Sequence, residues 1–290
     1  MMRQAPRIAA AVKRENSWLK EVIRREKIDG VISDNRLGLF NPAIPCVFIT
    51  HQLRIQTGLG RWADDMAQLF NYRYINRFSG VWIPDFEGAQ NLAGLLSHPS
   101  SMPRNTVSYV GALTRVHSSS FANKEGVILF VFSGPEPQRS IFEQAVLTQL
   151  KYIKQPVTII RGKPLQEDLP PIDGVTVYNH LPVTEMEPIM RSAALIVCRS
   201  GYSSVMDINA LRQRSVLIPT PGQTEQQYLA EYLMDKRFAI SADQDNFNLL
   251  QLLYRASQFA YDGFINPDDT LLTKAVDAFL SDCRSVIEKS

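Results

Sequence analysis

A series of short runs, apolar throughout and separated by longer amphipathic stretches, narrows the possible folds of this chain more than any other feature. IDGVISD (28–34), PCVFITH (45–51), GVWIPD (80–85) and TVSYVGAL (106–113) come first. VILFVFSG (127–134), PVTIIRG (156–162), GVTVYNHL (174–181), ALIVCR (194–199) and SVLIPT (215–220) follow. A strand with one wet face alternates apolar and polar residues. A strand apolar on both faces needs cover on both, which is the condition of a parallel sheet between layers of helices. The stretches between the runs read as helices at 17–27, 60–78, about 139–151, near 185–193, from Ser204 and from Thr224.

Two such series in tandem predict an α/β protein of two Rossmann-like domains, and 290 residues suffice for both. The polar stretch TRVHSSSFANKEG (114–126) marks the boundary, giving domains 1–113 and 114–290. The second has room for about six strands, a full doubly wound sheet. The first has fewer and opens with a helix, where a Rossmann-like domain opens with a strand and a phosphate loop. An incomplete amino-terminal domain is therefore expected. Its strand DGVISD would be an exposed sheet edge, open to a partner chain or a second copy.

Charge and composition narrow the function. Thirty-one basic residues against 29 acidic ones leave a net charge of +2, which argues against nucleic acid as the partner. Cys46, Cys198 and Cys283 show no CxxC spacing, and no His/Cys cluster suggests a metal site. Reduced, buried thiols and the lack of an apolar leader predict a cytoplasmic protein.

In open α/β sheets, ligands bind beyond the carboxyl ends of the strands. Three such ends are unusual here. Ser133 and Gly134 follow one strand. Arg199, Ser200, Gly201, Ser203 and Ser204 follow another and lead to Asp207. Pro221 and Gly222 turn into TEQQYLAEYL, which carries Gln226 and Gln227. Glycine permits a positive φ and close backbone approach, and the first amides of a helix favour anions. Ser204 to Asp207 and Thr224 to Gln227 also have the spacing of capping boxes, so local chemistry leaves capping and ligand binding both open. Arg199 suits either a phosphate or a surface acid. His51, after an apolar strand, is a candidate base or a structural histidine.

CRSGYSSVMDINAL followed by LIPTPGQTEQQYLAEYL resembles the carboxyl-terminal domain of family 28 glycosyltransferases, the family of the lipid-II-forming N-acetylglucosaminyltransferase. AIPCVFITHQ and VGALTR (110–115) extend the resemblance into the first half. The resemblance implies the GT-B architecture, two Rossmann-like domains. It implies a nucleotide-sugar donor, UDP-linked, and hexosyl transfer without a cofactor or metal. By position, Arg199–Ser204 would meet the donor diphosphate, Asp207 the ribose, and Gln226 and Gln227 the sugar. Ser133 and Gly134 fall at the family's donor loop, although Pro135, Glu136 and Pro137 depart from its small residues. Asp207 is one methylene shorter than the family's residue. The acceptor is unspecified, lipid-linked or a glycan, and a lipid-linked one would bring the protein to the inner face of the membrane. A sugar-nucleotide 2-epimerase, and a nucleotide-sugar-binding subunit or remnant inactive alone, are the competing readings.

Overall fold

The computed structural model describes residues 5–117, 126–165, 169–266, 268 and 270–288. Of the polar stretch 114–126, residues 118–125 lie outside them. The chain divides into two compact units, Met1–Leu113 with Asp268–Ser290, and Thr114–Pro267.

Unit 1 contains α1 (Ala5–Glu26), β1 (Val31–Asp34), β2 (Cys46–Ile49), α2 (Arg61–Ile75), β3 (Gly80–Ile83) and β4 (Thr106–Tyr109). Helix α1 begins well before the 17–27 stretch. Its early segment is alanine-rich and favours helix, and Val12 joins Leu19 in burial. The four strands are parallel in the order β1-β2-β3-β4, so β1 is an edge strand. Phe48, Val81, Ile83 and Ile75 form the core beneath α2.

The carboxyl-terminal helix Thr270–Ile287 corrects the expected boundary. The division 114–290 put it in the second domain, but it belongs to unit 1. Its Phe279 and Cys283 pack with Val47, Trp82 and Val110. Gly30 permits this approach: a Cβ there would stand 2.5 Å from Cys283 Sγ and 2.7 Å from the Phe279 ring. A return of the chain across the whole sequence leaves no local signal.

Unit 2 contains β5 (Ile128–Val131), α3 (Gln138–Leu147), β6 (Val157–Ile160), β7 (Val175–Tyr178), α4 (Val183–Ser192) and β8 (Leu195–Cys198). There follow α5 (Tyr202–Leu211), β9 (Ser215–Leu217), α6 (Thr224–Asp235), β10 (Ile240–Ser241) and α7 (Leu249–Gln258). The sheet order is β10-β9-β8-β5-β6-β7, and every pair is parallel. The chain starts in the middle at β5, runs outward through β6 and β7, and returns to β8 on β5's other side. This is the doubly wound order, and it puts a topological switch point between β5 and β8. Phe130, Phe132, Phe142, Ile159 and Val197 fill the core.

Candidate functional site

The expected turns lie at the carboxyl edge of the unit 2 sheet, two of them flanking the switch point. After β5, Phe132 is buried while Ser133 and Gly134 are exposed. Gly134 has φ +96°, and a Cβ there would meet Thr220 Oγ1 at 3.5 Å. The Thr220 hydroxyl is buried and has no hydrogen-bond partner among the described residues.

The β8–α5 turn divides into two halves. Arg199 points inward. Its guanidinium donates to the carbonyls of Ile218 and Pro219 at 3.2 Å, to Gln138 O at 2.8 Å and to Gln244 Oε1 at 2.5 Å. It also stacks 4.8 Å from the Phe142 ring centroid. Burial draws its pKa down to about 10. Arg199 is thus a brace joining the end of β9 to α3, and in the free chain its guanidinium faces neither the cavity nor a surface acid. Ser200 is fully buried, and its hydroxyl donates to Gln226 O at 2.8 Å, so it too is committed to the fold.

The other half is open. Gly201 caps α5 with φ −70° and no side-chain hydrogen bond, so a positive φ is not what this glycine supplies. It supplies space: among the described residues, chain neighbours apart, no atom lies within 4 Å of where its Cβ would be. Helix α5 begins at Tyr202 rather than Ser204, which leaves Ser203 exposed and Ser204 half-buried on its first turn. Gly201 has no side chain with which to cap α5, and a helix start of this kind favours an anion.

With that start, Asp207 lies too deep in α5 to cap it, and the Ser204–Asp207 box does not form. The carboxylate is buried. Its Oδ1 accepts from Thr114 Oγ1 at 2.7 Å and Arg115 N at 3.2 Å, and its Oδ2 from Arg115 Nη2 at 3.1 Å. The second box fails likewise, because α6 is capped at Gln223 without a side-chain bond. Gln226 is folded into its own turn: Oε1 accepts from Thr220 N at 2.9 Å, and Nε2 donates to Gln223 Oε1 at 2.6 Å. In the free chain both ends of its amide are therefore engaged within the turn. Gln227 is exposed on the first turn of α6.

A cavity of about 310 Å³ opens beside these turns, lined by Arg115, Ser133, Gly162, Leu181, Ser204 and Asp207 among others. Met186 and Met190 of α4 give it an apolar wall. Gly162 is required there, because at φ +66° a Cβ would fall 2.7 Å from Phe132 O. His51 lies in unit 1 just beyond β2 and is not among the lining residues.

Sequence reading misses several of these groups. His180 and Leu181 end the run GVTVYNHL, and that strand's parallel direction is the signal available. Arg115 ends the VGALTR segment of the resemblance and lies at the expected boundary, where the sequence assigns it no role. A buried ionic network behind the cavity is also unread. Glu143 accepts from Arg161 Nε at 2.6 Å and Arg139 Nη2 at 2.8 Å. Arg139 Nη1 donates to Arg161 O, and Arg161 Nη1 to Asn179 Oδ1. Burial opposes ionisation of Glu143, yet the hydrogen bonds from the two arginines hold its carboxyl below its ordinary value. The network ties α3 to the ends of β6 and β7, whose next residues, Gly162 and His180, line the cavity.

The sheet order and the switch-point cavity are those of the nucleotide-binding Rossmann-like domains. Comparison with known proteins is more specific. Residues 128–260, within unit 2, match the glycosyltransferase family 28 C-terminal domain. A UDP-N-acetylglucosamine–N-acetylmuramyl-(pentapeptide) pyrophosphoryl-undecaprenol N-acetylglucosamine transferase of Sulfurihydrogenibium sp. (strain YO3AOP1) is 29% identical over 111 residues. That match covers 37% of this chain and spans only 30% of the relative's length. Among solved structures, the glycotransferase of kitacinnamycin aligns with TM-score 0.63 at 12% identity, over 99% of this chain and 80% of that one. MurG of Acinetobacter baumannii aligns with TM-score 0.59 at 16% identity, over 94% and 78%. A putative UDP-N-acetylglucosamine 2-epimerase of Listeria monocytogenes gives 0.58 at 13%, over 98% and 81%. At these identities the likeness is one of fold, and the fold is of the GT-B type.

Proposed function

We propose that unit 2 binds the nucleoside diphosphate of a UDP-linked sugar and that the chain transfers the hexosyl group to an acceptor. The observation that carries this reading is the cavity at the switch point, which has an uncapped helix start and a buried carboxylate on its rim. Leu181, Met186 and Met190 offer an apolar seat for the base. Gly134 and the first amides of α5 suit the diphosphate, where negative charge grows as the glycosidic bond breaks. Asp207 accepts hydrogen bonds from ribose hydroxyls, a charge-assisted contact of about 1.5–3 kcal/mol each. Gln227 reaches the sugar, and Gln226 shapes the turn that presents it. In this reading helix ends do the work of a divalent cation. His51, at the carboxyl end of β2, is the candidate to deprotonate the acceptor, which is lipid-linked or a glycan.

The uridine nucleotide is supported by the names of the relatives, a UDP-N-acetylglucosamine transferase and a UDP-N-acetylglucosamine 2-epimerase. A thermal-shift panel tests the donor. UDP and UDP-sugars should raise Tm, with or without chelator, and ADP and GDP should not. No shift from any nucleotide would overturn the reading, and a strict magnesium requirement would overturn the helix-end mechanism. Incubation with UDP-N-acetylglucosamine alone separates the activities, since an epimerase releases altered sugar without acceptor and a transferase does not.

A further inference from the structure

The carboxylate on the cavity rim is already occupied by the protein itself. A carboxylate offers about four lone-pair positions. Thr114 Oγ1 and Arg115 N take both places on Asp207 Oδ1, and Arg115 Nη2 takes one on Oδ2. The position left cannot serve a ribose diol, which brings two hydroxyl donors. One of the protein's own donors has to leave, and the three differ in how firmly they are held. Thr114 Oγ1 also accepts from Val116 N at 3.2 Å, and Val116 is buried. Beyond it, His117 N donates to Glu187 and Arg191 donates to His117 O at 2.9 Å. The backbone of 114–117 is thereby strapped to α4 and α5. The Arg115 guanidinium is different: its side chain is 58% exposed, against 3% for Asp207, and it borders the cavity. The acid of this pair is buried, but its base is open to solvent on the cavity side, so the guanidinium can turn to a second partner without unfolding the strap.

Resting on the nucleotide reading above, we infer that Arg115 makes ribose recognition conditional on a phosphate. In the free protein its guanidinium blocks Asp207 Oδ2. A diphosphate entering the cavity offers it a second, more highly charged partner, and fork-shaped guanidinium groups pair well with phosphate. The guanidinium moves to the diphosphate, Oδ2 is released, and the ribose hydroxyls take its place. A nucleoside without phosphate lacks the means to displace it. Arg115 is thus a specificity-determining residue that favours nucleoside diphosphates over the bare nucleoside, at a site where Asp207 alone would accept both.

Calorimetric titration of the intact chain with uridine, 2′,3′-dideoxyuridine and UDP tests this, using the wild type, Arg115→Ala and Arg115→Gln. Arg115→Gln keeps much of the side-chain stem and serves if the alanine variant folds poorly. Loss of the guanidinium should weaken UDP binding by about tenfold, the size of one charge-assisted hydrogen bond, and strengthen uridine binding by about threefold or more. Dideoxyuridine should gain nothing. Parallel losses for uridine and UDP with a lowered Tm would make Arg115 a structural strap and overturn the inference alone. Unchanged affinities, or an equal gain for dideoxyuridine, would overturn it as well. A wild-type chain that binds no uridine nucleotide would overturn the nucleotide reading and this inference together.

Discussion

Two arginines of unit 2 lie near the same cavity and have opposite fates. Arg199 occurs in the motif that carries the family resemblance, yet it is fully buried and spends its guanidinium on carbonyls after β9 and in α3 and on Gln244. Arg115 occurs in what reads as a linker, yet it reaches the cavity and holds the carboxylate on its rim. Gln226 and Gln227 repeat the contrast, with one amide folded into its turn and its neighbour facing solvent. A motif therefore contains two kinds of residue. Some build the turn and some face the cavity or solvent, and the residue type does not say which.

The contrast is tested hardest at Arg199. Arg199→Met should leave several buried carbonyls without donors and destabilise the chain by about 4 kcal/mol, each unpaired group costing about 1–3 kcal/mol. Denaturant unfolding measures this. A variant that folds normally but loses only UDP affinity would return Arg199 to the ligand.

Glu143 should follow. Glu143→Gln removes the buried carboxylate that Arg139 and Arg161 share, leaving Arg139 only its pair with Glu136, at a cost of about 3 kcal/mol. Because the Glu143 carboxyl is held low in the folded chain, its contribution is complete above the ordinary carboxylate range. It is lost as pH falls through the lowered value. The wild type should lose stability on acidification, and Glu143→Gln should show a flatter profile. Parallel profiles would remove the network from the stability account.

The carboxyl-terminal helix supplies a test of the unit boundary. Phe279→Ala should destabilise the chain by about 3 kcal/mol through the void it leaves beside Trp82 and Val47. UDP affinity should be unchanged, and a selective loss of UDP binding would place that helix's role elsewhere.

The weakest response belongs to the exposed glutamine. Gln227→Ala should alter stability by about 0.5 kcal/mol or less, as a surface substitution. It should lower affinity for a UDP-sugar about fivefold and for UDP hardly at all, a difference of about 1 kcal/mol. Equal losses for both ligands would take Gln227 off the sugar.

The strands are legible because burial on both faces writes itself as unbroken apolar runs, as in ILFV and LIVC, where every residue is apolar. Ser133, Gly134, Gly201, Ser203 and Ser204 are legible because glycine and serine at a strand end signal a turn. The direction of Arg199 is not, since a buried guanidinium and an exposed one have the same letter. The Leu181, Met186 and Met190 wall is not, because apolar residues on a cavity and in a core look alike. Asp207 reads as a cap or a ligand, and its third role, anchorage of Thr114 and Arg115, depends on residues 93 and 92 positions away.

The functional reading depends on the switch-point cavity of unit 2 seating a uridine diphosphate against the open half of the β8–α5 turn. A crystal structure of the chain with UDP decides whether it does. The diphosphate is expected at the first amides of α5, the base against Leu181 and Met186, the ribose on Asp207, and Arg199 unmoved. UDP bound away from this edge, or phosphate contacted by Arg199 rather than by the α5 amides, would contradict it.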